Sequence, residues 1–340
     1  MNRRILFLGV LLAVVLIFMP LRSALAQNES EADSSWRKPL FSSNQFPIYL
    51  LFLRLEPERA VSLAAGQASF CVDLGLSNII KTSIDLPSGP NADRLVLDYE
   101  WWRFLAQLDV GLGRGLQMSM SLPLYYRSGG FLDPLISSFH EFFGFSNSFR
   151  GMTPNNLFRY ELWQDGRRVL GPLDPGTVTG DLVVSLKKAW KLGGTEFGFR
   201  AALKAPTGLW VKAAGSGSPD LGFGLLLSNY GERLGFCLNA DYCFLGQPLD
   251  RGLKSRDYFS GMAALDLLLG RGVDLVVQAD YLDRVVESFI PILNRRTGQI
   301  AVGLRGRLAR RWIVEFRLTE DLAATSPDFT LGLHLEFLSR

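Results

Sequence analysis

The chain has 340 residues and a formal net charge of +3, and its basic residues are dispersed, which gives no support for nucleic-acid binding. It is 48% hydrophobic, with 24 Phe, 7 Trp, 9 Tyr and 34 Gly. Beyond the amino terminus no run of ~18 consecutive apolar residues occurs, which excludes membrane-spanning helices from the mature chain. This composition suits a barrel whose outer surface meets lipid.

The amino terminus has the three parts of a secretory signal. Asn2–Arg4 is basic, Ile5–Met19 is apolar, and Ser23–Ala26 supplies small residues. This order predicts a signal peptide over residues 1–26 that is cleaved after Ala26. A retained membrane anchor is the alternative, although the apolar run is shorter than the ~20 residues of a spanning helix.

Residues 27–64 precede the first predicted strand and form a separate amino-terminal segment. The segment is polar at first and then contains a continuous apolar run, Pro47–Leu53. We predict that it is periplasmic and docks under the barrel, or that it enters the lumen as a plug. A thirteenth strand is the alternative.

From about residue 65 onward, apolar and polar residues alternate with a period of two, which predicts strands with one apolar and one polar face. The predicted strands span 67–77, 94–112, 115–127, 180–190, 194–205, 219–230, 232–244, 257–270, 272–283, 297–308, 311–319 and 329–338. Their connections are alternately very short, mostly with the glycine that a tight hairpin needs, and long. Outer-membrane barrels have this asymmetry between periplasmic turns and external loops.

We therefore predict that residues 65–340 form an all-β, transmembrane, up-and-down antiparallel barrel of about 12 strands, with both termini in the periplasm. The alternative is a soluble sandwich, in which another sheet must cover each apolar face. In Leu95–Phe104 the apolar parity shifts at Trp101 and Trp102. This shift predicts either a β-bulge or an aromatic girdle at the membrane interface.

Charged side chains of the predicted strands lie opposite the apolar face. Because lipid solvates charge poorly, this polar face is predicted to line a wet or filled interior. Mixed signs favour internal ion pairs over a selectivity ring of one sign. The lumen or pore candidates are Glu196, Arg200, Lys204, Asp274, Asp280, Arg305, Arg307, Glu315, Arg317 and His334, and Asp181, Asp241 and Asp266 share their face.

The connection at 128–179 is too long to be a simple loop. Asp133 and Pro134, followed by apolar residues at helical spacing, predict a short amphipathic helix. We expect this helix to fold inward as a constriction or to lie over the mouth. The gating-loop candidates are Asp133, Phe139, His140, Phe143 and Arg150.

The three cysteines form no evident disulfide framework. Cys237 and Cys243 share a face of one strand but lie ~20 Å apart at ~3.3 Å per residue, beyond bonding range. Free, inward-facing thiols are therefore predicted. A bond from Cys71 across the lumen is the alternative.

Motifs in the long loop and at both flanks are the most specific in the chain: Tyr126–Asp133, Phe139–His140, Phe143–Gly144, Arg150, Pro154–Asn156, Asn44–Pro47, Glu320–Asp321 and Pro327–Phe329. Together they resemble a family of uncharacterised Gram-negative outer-membrane-barrel-like proteins, domain of unknown function 3187. The resemblance implies the fold and a location in the outer membrane of a Gram-negative bacterium, but it carries no activity to transfer. That location implies contact with outer-membrane lipid, lipopolysaccharide and the barrel assembly machinery. The chain departs from such barrels in ending at Arg340, three residues after the aromatic Phe337.

Three functional hypotheses follow. The first is a non-enzymatic channel or binding barrel for a small solute. Lys204–Gly208 and Gly215–Asp220 resemble loops of barrels for hydrophobic compounds, and this fold-level resemblance implies an apolar solute. The second is a structural or assembly-related envelope protein with a plugged lumen. The third is a lipid-modifying enzyme, for which His140 beside Ser137 and Ser138 is a poorly oriented local candidate. His334 is expected to pair with a carboxylate such as Glu336. The sequence contains no metal-ligand spacing, so we predict that the protein binds neither a metal nor a cofactor.

Overall fold

A computed structural model describes residues 35–82, 93–143, 154–164, 166–250, 252–270, 272–288, 290–308, 311–322, 327 and 329–339. The predicted signal peptide and Arg150 lie outside these residues. Within them, no helix is long and apolar enough to cross a membrane.

The structure is almost entirely β. In chain order the strands are β1 (Ala68–Thr82), β2 (Arg94–Gly113), β3 (Leu116–Ser128), β4 (Arg159–Gln164), β5 (Arg167–Leu170), β6 (Gly176–Thr179), β7 (Leu182–Leu192), β8 (Thr195–Ala205), β9 (Asp220–Tyr230), β10 (Leu234–Leu245), β11 (Lys254–Ser255), β12 (Tyr258–Gly270), β13 (Val273–Leu282), β14 (Val286–Glu287), β15 (Thr297–Leu308), β16 (Trp312–Asp321) and β17 (Phe329–Leu338). One α-helix, α1 (Leu132–Phe143), lies in the long loop, where the sequence predicts a helix. Short 3₁₀ turns span Tyr49–Leu51, Trp210–Lys212 and Pro291–Asn294.

Twelve long strands close into a barrel in the order β1-β2-β3-β7-β8-β9-β10-β12-β13-β15-β16-β17. All neighbours are antiparallel, and β17 returns to β1, where His334 lies opposite Asp73. The predicted twelve-stranded barrel is therefore confirmed. The largest difference in a strand boundary is the end of β1, which reaches Thr82 rather than residue 77.

The alternation of apolar and polar residues separates the two faces of the wall. On β3, Met118, Met120 and Leu122 are exposed, whereas Gln117 is buried. Because every second side chain of a strand points to the same face, the apolar set forms an outward band and the polar set lines the bore. We call the end of the barrel with the short turns the inner end and the end with the long loops the outer end.

The wall extends unevenly at the outer end. Residues 94–98 of β2 continue past β3 and pair with β4, and residues 124–127 of β3 pair with β6. Pairing through Trp101 and Trp102 is continuous, so the predicted β-bulge is absent from this described stretch. The apolar residues change faces along β2 because, at its outer end, apolar rather than charged side chains face the bore. Trp101 is one of them, and it stacks on Tyr125 with ring centroids 5.2 Å apart.

An apolar core fills the outer half of the barrel. It joins the outer end of β2, the outer loops and the amino-terminal segment. Members that are almost fully buried include Phe46, Ile48, Tyr49, Leu51, Leu53, Leu97, Tyr99, Trp101, Tyr160, Leu162, Val286 and Leu293. The inner half of the bore, in contrast, is lined by charged residues.

Candidate functional site

Residues 36–60, which we call the plug, form a hairpin inside the bore. At the inner end, Arg37 Nη1 donates to Gly231 O at 2.8 Å. At the outer end, Tyr49 Oη donates to Arg295 O at 3.4 Å. The chain then returns, and Ala60 N donates to Ser228 Oγ at 3.2 Å near the inner end. Of the arrangements expected for the amino-terminal segment, the structure has the one inside the lumen.

The apex of the plug is anchored in the apolar core by a few polar contacts. Leu53 N donates to Asp220 Oδ2 at 2.8 Å, and Tyr258 Oη donates to Leu53 O. Lys204 Nζ donates to Leu51 O at 3.0 Å and also pairs with Asp181 Oδ2 at 2.7 Å. These bonds satisfy main-chain groups that the 3₁₀ turn leaves unpaired inside an apolar environment.

The base of the plug is held by charges of both signs. Arg59 forms two hydrogen bonds to the Glu196 carboxylate, Nε to Oε2 at 2.7 Å and Nη2 to Oε1 at 2.6 Å. Arg37 pairs with Asp266 through Nε at 2.7 Å. Two planar guanidinium groups thus meet carboxylates in the geometry that gives strong charge-assisted bonds. Lys38 pairs in addition with Glu336.

The returning arm of the plug carries acids that pair with bases of the wall. Glu58 lies 2.5 Å from Lys187 Nζ and 2.9 Å from Arg200 Nη1. Burial raises the pKa of Glu58, but the two cations outweigh burial, so its pKa is lowered overall and the carboxylate is charged. Glu56 pairs in the same way with Arg103.

Other lumen candidates pair within the wall. Arg305 Nη2 donates to Glu315 at 3.0 Å and to the plug carbonyl of Pro39 at 3.0 Å. Arg317 donates to both oxygens of Asp73 at 2.7 and 2.8 Å. The mixed signs of the polar face are thus combined in a single network that includes the plug.

The remaining lumen candidates occupy different levels of the bore. Asp274 lies 3.3 Å from Arg305 Nη1, Asp280 accepts from Gln278 Nε2 at 3.0 Å, and Arg307 is half-buried near the inner end. His334 lies 3.6 Å from both Asp73 and Glu336 and stacks on Phe41 of the plug. Cys71, Cys237 and Cys243 are buried and free.

The gating-loop candidates do not lie in the bore where the structure describes them. Asp133 accepts from Asn78 Nδ2 at 3.1 Å and from Asn156 N at 2.8 Å. Asn78 is on the outward face of β1, so the start of α1 packs against the outside of the wall near the mouth. Of the two arrangements expected for this helix, folding inward does not hold at its first turn, because polar groups on the outward face of the extended strands bind it there. That the helix lies over the mouth stays a prediction. The side chains of Phe139, His140 and Phe143 lie outside the described part of the chain.

Inward-facing glycines make room for the plug. A Cβ atom added at Gly75 would lie 2.2 Å from Gln45 Nε2, one at Gly303 would lie 2.5 Å from Leu40 Cδ2, and one at Gly222 would lie 2.9 Å from Leu53 Cδ2. These residues were not among the candidates. The available signal was a glycine at a position of polar parity, where a side chain would otherwise enter the lumen.

The described residues line cavities between plug and wall and among the outer loops. A cavity of about 60 Å³ is lined in part by Ser42, Asn44, Asp241, Asp280 and Gln299, which suffices for a few water molecules. A larger cavity of about 360 Å³ lies among the outer loops, and its lining combines apolar residues with one acid: Val169, Leu170, Gly171, Trp210, Val211, Leu249 and Asp250. Among the described residues, no group of three or more His, Cys, Asp or Glu could hold a metal ion.

Comparisons with known proteins agree with this architecture. The model of a family described as a protein of unknown function, DUF3187, matches residues 14–338. The COG4313 outer membrane channel from Pseudomonas putida F1 has a similar fold, with a TM-score of 0.56 and 14% identity, covering 84% of this chain and 100% of that chain. The NanC porin structure gives a TM-score of 0.45 at 10% identity, and the match covers 79% of this chain and 98% of that chain. The CymD monoaromatic hydrocarbon channel gives a TM-score of 0.40 at 10% identity, and the match covers 82% of this chain and 89% of that chain. No curated protein sequence matches the chain significantly.

We expect Arg59→Ala to destabilise the folded barrel, because it leaves Glu196, which is 4% exposed, without its cation. Breaking a buried pair in this way costs about 3–5 kcal/mol. The exposed pair Lys254–Glu287 provides the control, since its side chains are 65% and 46% exposed and Lys254→Ala should change the free energy of unfolding little. Thermal or urea unfolding in detergent measures both. If Arg59→Ala and Lys254→Ala both lower the stability equally little, the Arg59–Glu196 pair has no structural role.

We also expect Gly303→Ala to loosen the plug, since its Cβ would crowd Leu40 at 2.5 Å and Phe316 O at 3.0 Å. Overpacking of this kind costs about 1–3 kcal/mol. Gly261→Ala is the matched control, because its nearest contacts are at 3.6 Å. Limited proteolysis of the folded barrel with trypsin reports exposure of Arg54 and Arg59. Identical cleavage rates in the two variants would show that Gly303 does not accommodate the plug.

Proposed function

The chain belongs to the DUF3187 family, and we propose that it is an outer-membrane channel for a small solute in which the plug is the gate. The observation that carries the proposal is the plug itself, a separate hairpin that occupies the bore of a closed barrel. The fold shared with an outer membrane channel supports the same role, and it supports a non-enzymatic one. Outer-membrane lipid and lipopolysaccharide would then surround the apolar band.

The contacts of the plug suit an element that moves. Main-chain pairing with the rest of the protein is sparse in the described residues: the plug forms no strand, and Ser216 N donates to Leu51 O at 2.9 Å. The ladder of the wall therefore stays complete when the plug moves. The contacts to be replaced are side-chain ion pairs at the base of the plug and apolar packing at its apex. Water, ions or a charged solute can substitute for the ion pairs.

The cavity among the outer loops supports a solute with an apolar part. Apolar residues line it together with Asp250, and two of them, Val211 and Leu249, are 75% and 66% exposed. The resemblance of Lys204–Gly208 and Gly215–Asp220 to loops of barrels for hydrophobic compounds agrees with this, since both motifs adjoin that cavity in the chain.

A structural envelope protein with a permanently plugged lumen is the second candidate function. The observation that favours it is the density of the packing, because Leu40, Phe46, Ile48 and Leu53 of the plug are fully buried. The two functions differ in whether the plug leaves the bore, which can be measured directly.

A disulfide between plug and wall should block conduction. Ser42 Oγ and Thr319 Oγ1 are 3.1 Å apart, so cysteines at both positions place their sulfur atoms close enough to bond. In a background with the three native cysteines replaced by alanine, we expect Ser42→Cys/Thr319→Cys to show no current in planar bilayers when oxidised. Reduction should restore the current of the parent barrel.

The single variant Ser42→Cys is the control for this lock, since it should conduct equally before and after reduction. Current that is unchanged by oxidation of the double variant would show that the plug is not the gate. If the parent barrel and a variant without residues 36–60 both fail to conduct, the plugged structural protein is the correct assignment.

A further inference from the structure

Two arginines of the plug share one tyrosine at the inner end of the bore. The guanidinium carbon of Arg59 lies 4.2 Å from the ring centroid of Tyr230, and that of Arg37 lies 5.3 Å from it. Tyr230 ends β9, beside the turn to β10. A cation over an aromatic face gains from the ring quadrupole, especially where water is excluded. The ring thus acts as a platform for two guanidinium groups.

The hydrogen-bond acceptors around this ring match the forked shape of a guanidinium. Glu196 accepts from both Nε and Nη2 of Arg59, at 2.7 and 2.6 Å. Arg37 donates through Nε to Asp266 at 2.7 Å and through its terminal nitrogens to the carbonyls of Gly231 at 2.8 Å and Arg233 at 3.1 Å. An ammonium group is a compact donor without this planar fork and cannot satisfy all these acceptors together.

The wall retains unused acceptor capacity beside this platform. Asp266 is 1% exposed and Asp274 is 0% exposed. Oδ2 of Asp266 and Oδ1 of Asp274 have no hydrogen-bond partner among the described residues. The nearest wall cation to Asp266 Oδ2 is Arg305 Nη1, at 3.9 Å. Asp274 pairs with Arg305 of the wall at 3.3 Å, whereas the cation that donates to Asp266 is Arg37 of the plug, at 2.7 Å.

We propose that the cradle formed by Glu196, Tyr230, Asp266 and the carbonyls of Gly231 and Arg233 is a binding site for the guanidinium group of a small solute. In the closed barrel, Arg37 and Arg59 occupy it as internal ligands. This inference rests on the proposed function, because the cradle becomes free only when the plug moves. A solute with a guanidinium group competes with the plug for the cradle and so favours opening.

The charge left in an open bore agrees with a cationic solute. When the plug leaves, Glu196, Asp266 and Glu336 lose their nearest cations, Arg59, Arg37 and Lys38. Lys187 loses Glu58, whereas Arg200 keeps Asp241 at 2.9 Å. The inner end thus gains more uncompensated negative than positive charge. Such a field concentrates cations.

Vacating the cradle tests the proposal in detergent, without a conduction measurement. Arg37→Ala/Arg59→Ala should bind arginine amide at least tenfold more tightly than lysine amide by titration calorimetry, although the two ligands carry the same charge. Arginine amide should also raise the unfolding midpoint of this variant more than that of the unmodified protein. Adding Glu196→Gln should weaken arginine amide binding tenfold or more.

Lys38→Ala is the matched control, since it removes a plug cation at the same end but outside the cradle, and it should show no preference for arginine amide. Equal binding of arginine amide and lysine amide to the double variant would overturn the proposal, as would an equal response of Lys38→Ala. If the double variant does not form a heat-modifiable barrel, Arg59→Ala alone carries the same comparison. The disulfide lock can fail while the cradle still binds arginine amide, so the two proposals fail separately.

Discussion

The structure depends on neutralising charge inside a barrel whose outside must be apolar. Alternation along each strand places most charged side chains of the wall in a bore that the plug fills. An ionised side chain in such a place costs several kcal/mol unless it is paired and hydrogen-bonded. Arg305 shows the solution: it reaches Glu315 and Asp274 in the wall and the carbonyl of Pro39 in the plug. Wall and plug therefore form one electrostatic unit.

The bore is divided into two chemically different halves, and this division bears on how the plug moves. At the inner end the plug is held by exchangeable charges such as Arg59 and Glu196. At the outer end its apex, with Phe46 and Tyr49, belongs to an apolar core that water cannot replace without cost. In the proposed channel, the ionic base of the plug is therefore the part that a charged solute would release first. The apex follows only if something apolar takes its place.

Sequence reasoning succeeded where the signal is local and failed where it depends on distant partners. Alternation with a period of two is carried within each strand, so the twelve long strands and their facing were predictable. The short strands β4, β5 and β6 were not, because they exist only as additions to the outer ends of β2 and β3. The apolar run Pro47–Leu53 has no period of its own, and its place is fixed by partners such as Asp220, 167 residues from Leu53.

The candidate site was predictable in part for the same reason. The alternation along each strand predicts that the side chains of Arg200, Lys204 and Arg317 face the bore. Which acidic residue each one contacts depends on barrel closure and on the plug. Arg59 and Glu196 are 137 residues apart, and neither carries a motif that links them. For the helix α1, the sequence leaves open whether it folds inward or lies over the mouth, because its amphipathic pattern does not say which side of the wall it covers. Asn78 and Glu100, outward polar residues at the outer ends of β1 and β2, determine that side by hydrogen-bonding its first turn.

The inward glycines distinguish a resident plug from an accidental filling of the lumen. A bore filled only with water does not require glycines opposite one hairpin. Gly75, Gly222 and Gly303 nevertheless leave space that the side chains of Gln45, Leu53 and Leu40 occupy. The plug nevertheless contributes no strand to the described sheet, and side chains rather than a main-chain ladder hold it. The proposed gate rests on both features: a shape that fits the bore and contacts that are made by side chains.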